Sequence, residues 1–204
     1  MAASRFKLSR FSGLRCLYKF WRVYTGIKIY FDDGEEEIQP EKNIILTHNQ
    51  INNKIRRIAF QIYENNVNET EIILAGIDKN GYIFAKKLKT ALQKISEINP
   101  ILCKVSINKR NPLEAIKTSI PADDYQNKSL ILVDDVLNSG TTLIYGVKHF
   151  LNVPLKQFKT AVLVNRNHKK YPVKADFKGI SLSTSLHEHV QIVLEGPVYE
   201  AYLD

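Results

Sequence analysis

The sequence predicts an α/β fold with a mostly parallel central sheet flanked by helices. Three observations carry this. Short, continuous apolar runs occur at "EIILAG", "ILCKVSI", "SLILVDD" and "KTAVLVN", the pattern of strands covered on both faces. Segments of helical periodicity alternate with them, as in βαβ units. And 204 residues, 44% hydrophobic and 25% charged, are enough for one independent core.

The first 41 residues read differently from the rest. Residues 1–30 carry seven Lys or Arg and no acidic residue, and "DDGEEEIQPEK" then reverses the sign. No secretory signal is expected, because basic residues interrupt every candidate apolar core. Two readings stay open for 1–41: a mobile, disordered basic tail, or a basic, acid-poor presequence or upstream extension. The domain is expected to occupy 42–204.

Within it, Thr47 and Gln50 stand at capping-box spacing ahead of Ile51, Ile55, Ile58 and Ile62, one face of an amphipathic helix. A strand over 71–76 follows, then a helix over 82–95, and a strand over 101–107. The sequence continues with a strand over 129–135, a helix over 140–151 and a strand over 159–165. Ligands of such sheets bind beyond the carboxyl ends of the strands. No apolar run approaches the roughly 20 residues of a membrane span. The two cysteines, Cys16 and Cys103, are far apart, which argues against a disulfide framework or a cysteine metal site and fits a reducing cytoplasm. The formal net charge of +8 suits polyanionic partners, nucleic acid or phosphorylated metabolites.

The segment "LILVDDVLNSGTTL" is the most informative. Asp134 and Asp135 close a strand, and Asn138, Ser139, Gly140, Thr141 and Thr142 lead into a helix. A glycine-bearing loop at a helix N-terminus can converge its N–H groups on a phosphate, with three hydroxyls adding donors. Two carboxylates beside that cradle need a different partner, and a vicinal diol or a Mg2+ ion supplies it. A sugar phosphate with free ribose hydroxyls satisfies both ends. An ordinary acidic strand end with a helix cap is the plain alternative. A nucleotide triphosphatase would need a phosphate loop ending in Gly-Lys-Ser/Thr, and in "GIDKNGY" the second glycine is followed by Tyr82.

"ILVDDVLNSGTT" resembles the 5-phosphoribosyl 1-pyrophosphate signature of type I phosphoribosyltransferases. Through "ILTHNQINNKIRRIAFQIYE", "ILAGIDKNGYIFAKKL" and "AVLVNRNHKKYPVKADFKGISLSTS", the likeness extends to the pyrimidine-operon attenuator and uracil phosphoribosyltransferase (PyrR-like) family, over about 44–204. It implies the type I fold with a small hood, homo-oligomers, a cytoplasmic setting and Mg2+. Asp134 and Asp135 would grip the ribose hydroxyls and the metal, directly or through water and substrate. Residues 138–142 would hold the 5′-phosphate. Gly76, Ile77, Asp78, Lys79, Asn80 and Gly81 match the pyrophosphate loop, where a non-proline cis peptide is common in relatives. Asn80 stands where the family usually has arginine. Val173, Asp176, Phe177 and Gly179 match the nucleobase hood, with a core aromatic as the plain alternative for Phe177. His168 reads as a solvated loop histidine, and Asn165, where the family usually has an acid, carries no catalytic role.

Segment 108–128 matches a longer lid in relatives, and Lys109 and Arg110 are its cationic candidates for catalysis. Asn138 stands where purine-using members place a proton-accepting aspartate, and an amide cannot serve as that base. The leading implied activity is transfer of the phosphoribosyl group to uracil, giving UMP and pyrophosphate at a low rate. Two alternatives remain: an RNA-binding attenuator and a non-catalytic nucleotide sensor. Lys54, Arg56, Arg57, Lys169, Lys170 and Lys174 keep charge on the family's RNA face, but Asn52 and Asn53 replace an arginine pair and Phe60 a histidine. Only weak RNA binding is expected, because charge alone supports non-specific affinity.

Overall fold

The computed structural model describes residues 42–109, 111–183 and 188–204. The expected extension 1–41 and the candidate Arg110 lie outside the described residues. Strand β1 (Asn43–Leu46) leads into helix α1 (His48–Glu64). There Gln50 Oε1 accepts the Thr47 N–H at 2.9 Å, and Ile51, Ile55, Ile58 and Ile62 form the buried face, as the spacing predicts.

The main sheet is built from β2 (Glu71–Ile77), β3 (Asn99–Ser106), β4 (Lys117–Thr118), β5 (Ser129–Leu137), β6 (Gln157–Arg166) and β7 (Phe177–Leu182). Its order is β4-β3-β2-β5-β6-β7, parallel throughout except for β4, which runs antiparallel to β3. Helices α2 (Asp78–Gln93), α3 (Ala122–Tyr125) and α4 (Thr141–Phe150) connect these strands. Side chains alternate along each strand between two cores. Ile72, Leu74, Ile131 and Val133 pack with the faces of α1 and α2. Ile73, Ala75, Leu130 and Leu132 pack with Leu143 and Phe150 of α4. Both sheet faces are covered, which accounts for the unbroken apolar strands.

A second sheet, in the order β1-β9-β8, joins the start of the described chain to β8 (Val190–Val193) and β9 (Glu200–Leu203). The segment expected to form the hood instead contains β7, the edge strand of the main sheet. The segment compared with a lid, 108–128, is also partly built into the domain: β4 pairs with β3 through Val105 and Thr118, and Tyr125 is buried edge-on against Phe150 at 5.1 Å between ring centres. Helix α2 starts at Asp78, four residues before the periodicity suggests, because Gly81 interrupts the apolar pattern without breaking the helix. No helix among the described residues is long and apolar enough to cross a membrane.

Candidate active site

The sheet registers bring the informative segments together. Gly76 of β2 lies beside Val133 of β5, and Asp134 lies beside Val162 of β6. Strand β5 continues past the acid pair to Leu137, so Asp134 and Asp135 sit on the strand and not beyond it. Asp134 is 5% exposed, and its Oδ1 accepts the Asp135 N–H at 3.0 Å. Burial first, and then the charge of Asp135, push the Asp134 carboxyl well above the usual carboxylate range, against the pull of Lys109. Burial alone would lower the Lys109 ammonium, but Asp134, Asp135 and Asp78 together raise it. Lys109 Nζ reaches Asp78 Oδ2 at 3.4 Å.

Beyond β5 the chain turns into α4. Gly140 is its N-cap with φ of 80°, a left-handed conformation that side chains other than glycine's resist. A Cβ there would also meet Val173 Cγ1 at 2.6 Å. The Ser139 and Thr141 hydroxyls share a hydrogen bond at 2.9 Å, and Ser139 O accepts the Lys170 N–H at 2.8 Å. The loop is therefore held from behind by the 170–173 segment, leaving a helix N-terminus at the cavity, where dipole and N–H groups favour an anion.

Asp134, Asp135, the whole of 138–142 and Lys109 line one cavity of about 420 Å³. The lining also includes Arg166, at the end of β6, with His189, Val190 and Gln191 leading into and along β8. Arg166, the last residue of β6, is 2% exposed. That signal was present in the sequence as a cation closing an apolar run. No local signal marks His189 to Gln191, which reach the cavity through pairing of β8 with the C-terminal β9.

The Gly76 to Gly81 segment runs from β2 into the first turn of α2. None of its residues lines the cavity, but two touch residues that do. Asp78 pairs with Lys109, and Asn80 Nδ2 donates to Asp135 Oδ2 at 3.0 Å. The expected cis peptide is absent among the described residues, and Asp78 instead adopts φ of 50°. Gly81 is needed for close approach, since a Cβ there would lie 2.8 Å from Val133 O.

The four residues assigned to the nucleobase are placed elsewhere. Phe177 is buried in the core beneath α1, so the plain alternative for it is the one observed. Asp176 accepts hydrogen bonds from the Thr160 N–H and hydroxyl at 2.9 and 3.0 Å, near the start of β6 and away from its carboxyl end. Gly179 lets β7 approach β6, where a Cβ would stand 2.4 Å from Leu163 O. Val173 backs Gly140 of the 138–142 loop. Locally β7 looks like a loop with one aromatic, and only its parallel pairing with β6 shows it to be a strand. Asn165, on β6, donates to Ser181 Oγ at 3.2 Å.

The acid pair also fits a Mg2+ ion. Mg2+ is usually held by one or two carboxylates, with phosphates and waters completing its octahedron. Two adjacent carboxylates, one of them buried under strain from the other's charge, form such a donor set. Among the described residues no cluster of three or more His, Cys, Asp or Glu is placed to hold a metal without other ligands.

The family model for the phosphoribosyl transferase domain matches residues 42–195. The bifunctional protein PyrR of Bacillus pumilus (strain SAFR-032) is 34% identical over 166 residues, covering 76% of this chain and 91% of that protein. The protein of the same name from Streptomyces coelicolor is 29% identical over 170 residues, covering 79% and 88%. Among solved structures, a hypoxanthine phosphoribosyltransferase of Trypanosoma cruzi superposes with a TM-score of 0.63 at 17% identity, over 72% of this chain and 84% of that one. A hypoxanthine-guanine phosphoribosyltransferase of Bacillus anthracis gives 0.58 at 23%, over 70% and 83%. At those identities the structural likeness speaks to the fold. With the parallel sheet, the acid pair and the loop at the N-terminus of α4 converging on one cavity, the chain belongs to the type I phosphoribosyltransferase family and is PyrR-like.

Proposed function

We propose that this chain, through residues 42–204, transfers the phosphoribosyl group of 5-phosphoribosyl 1-pyrophosphate to uracil, giving UMP and pyrophosphate. The observation that carries the reading is the convergence of Asp134 and Asp135 with the 138–142 loop on one cavity. The loop binds the 5′-phosphate, and the acid pair holds the ribose hydroxyls. Pyrophosphate lies toward Lys109, and the base lies toward Arg166, Val190 and Gln191. The anomeric C–O bond breaks with its electron pair leaving on pyrophosphate. A base nitrogen forms the new C–N bond, and its proton passes to the departing pyrophosphate, which has taken the C–O electron pair. Asp134 and Asp135 stabilise the positive charge that develops on the ribose, and Lys109 offsets negative charge on the leaving group. Asp134 and Asp135 would hold a Mg2+ ion, which would supply positive charge to offset the negative charge of the pyrophosphate. The remaining contribution is positioning of the two reactants in one cavity.

Uracil is favoured over a purine by Asn138, which lines the cavity and cannot accept a purine proton. The attenuator reading is weakened at Arg57, whose Nη2 donates to Lys178 O and Gly179 O at 2.6 and 2.7 Å, so that this guanidinium ties α1 to β7. Calorimetry with 5-phosphoribosyl 1-pyrophosphate and MgCl2 tests the core of the proposal. The Asp134→Asn, Asp135→Asn double variant should lose about 1.5–3 kcal/mol of binding for each charged hydrogen bond removed. Undiminished affinity in the folded variant contradicts it.

A further inference from the structure

Asn80 occupies the family's arginine position, yet its contacts are not those of a pyrophosphate ligand. It sits in the first turn of α2, and its Nδ2 donates twice: to Asp135 Oδ2 at 3.0 Å and to Ile192 O at 3.2 Å. Both partners are acceptors, so the amide orientation is fixed by chemistry, with the two hydrogens of the NH2 group each directed to one oxygen. Ile192 belongs to β8, directly after Gln191 and two residues after Val190, which line the same cavity as the acid pair. One side chain thus joins the turn after β2, the carboxylate on β5 and the strand of the small sheet.

A neutral donor suits this place. A hydrogen bond to a charged acceptor is stronger than one between neutral groups, so Asn80 orients Asp135 firmly. It carries no charge, so the full negative charge of Asp135 stays available to a diol or a cation. An arginine in the same position would compete for that charge.

We propose that Asn80 is a positioning residue that sets the Asp135 carboxylate and couples it to β8, so that occupancy of the phosphoribosyl end of the cavity is transmitted to the base end. The inference rests on the transferase reading above and goes beyond it. A ligand that draws on Asp135 pulls, through one amide, on the strand against which the base lies. Binding at one end therefore stiffens the other.

The test uses the full chain and two variants, Asn80→Ala and Asn80→Asp. The first removes both hydrogen bonds. The second keeps the shape and places a carboxylate against Asp135 and a carbonyl. Thermal melts establish that at least one variant is folded. Calorimetry measures affinity for 5-phosphoribosyl 1-pyrophosphate with MgCl2, and hydrogen–deuterium exchange follows the β8 amides with and without it. In the wild-type chain, ligand is expected to slow exchange across Val190–Val193. In the variants affinity should fall about tenfold to a hundredfold, the size of a lost charged hydrogen bond, with Asn80→Asp the weaker binder. Ligand should then protect the 138–142 loop but no longer β8. Undiminished affinity in a folded variant overturns the inference alone, as does β8 protection that survives a loss of affinity. Absence of binding by the wild-type chain overturns the transferase reading and the inference together.

Discussion

Asp134 holds the sharpest conflict between folding and function in the molecule. Burial and the neighbouring Asp135 raise its carboxyl well above the ordinary range, so folding favours its protonated form relative to the unfolded chain. The sign follows from linkage: the stability is fully present below the unfolded-state value and is lost as pH rises through the folded-state one. Ligand or metal, which needs the charged form, recovers that loss on binding. Asp134→Asn keeps the shape and removes the ionisation. Its ligand-free melting temperature should exceed the wild type's near neutral pH, by roughly 2–4 °C for each 1 kcal/mol recovered in a domain of this size. The gap should close as pH falls into the ordinary carboxylate range. Melts across pH check this, and a variant less stable at every pH contradicts it. The acid pair was legible in the sequence because its chemistry is local: two carboxylates, a glycine and three hydroxyls within nine residues. His189 and Gln191 were not, because they carry no pattern of their own and depend on where β9 carries the chain.

At the scale of elements, the helices and parallel strands followed from periodicity, since each buries a face that repeats at 3.6 or runs unbroken. Two elements departed from expectation for physical reasons. Helix α2 begins in the glycine-bearing turn because Gly81 lets it pass close to β5. Strand β7 was hidden in a segment read as a hood, since its alternation spans only Phe177 to Leu182 and its partner β6 lies across a long connection. Phe177 decides between the two readings of that segment. As a core residue under α1 it should be a stability determinant: Phe177→Ala is expected to cost about 3–5 kcal/mol while leaving affinity for 5-phosphoribosyl 1-pyrophosphate intact in the folded fraction. Denaturant titration with and without ligand measures both. A variant of wild-type stability that has lost selectivity among bases would return Phe177 to the base site.

For the whole molecule, the fold class was legible from the alternation of strands and helices, and the small sheet was not, because it joins strands from opposite ends of the described chain. The surplus of positive charge is likewise a property of the whole chain. The basic residues of α1 do not all remain available to a polyanion: Arg57 is bonded to β7, and Arg56 lies over Phe60 at 5.7 Å. RNA binding should accordingly be weak, indifferent to sequence and steeply reduced by salt, as counterion release requires. Filter binding of one hairpin and its scrambled counterpart at physiological salt checks this, and tight, selective capture of the hairpin contradicts it.

The central claim is phosphoribosyl transfer to a pyrimidine, and the most direct measurement is nucleotide formation. The full chain is incubated with 5-phosphoribosyl 1-pyrophosphate, MgCl2 and, separately, uracil, hypoxanthine and guanine, with products followed by chromatography over hours. UMP should form with uracil ahead of any purine nucleotide, and slowly. The segment after β3 is short, and Asn80 supplies no charge to the departing pyrophosphate; one missing charge stabiliser can lower a rate by on the order of 10²–10³. Faster product with a purine contradicts the specificity drawn from Asn138, and no product with any base contradicts the transferase reading itself.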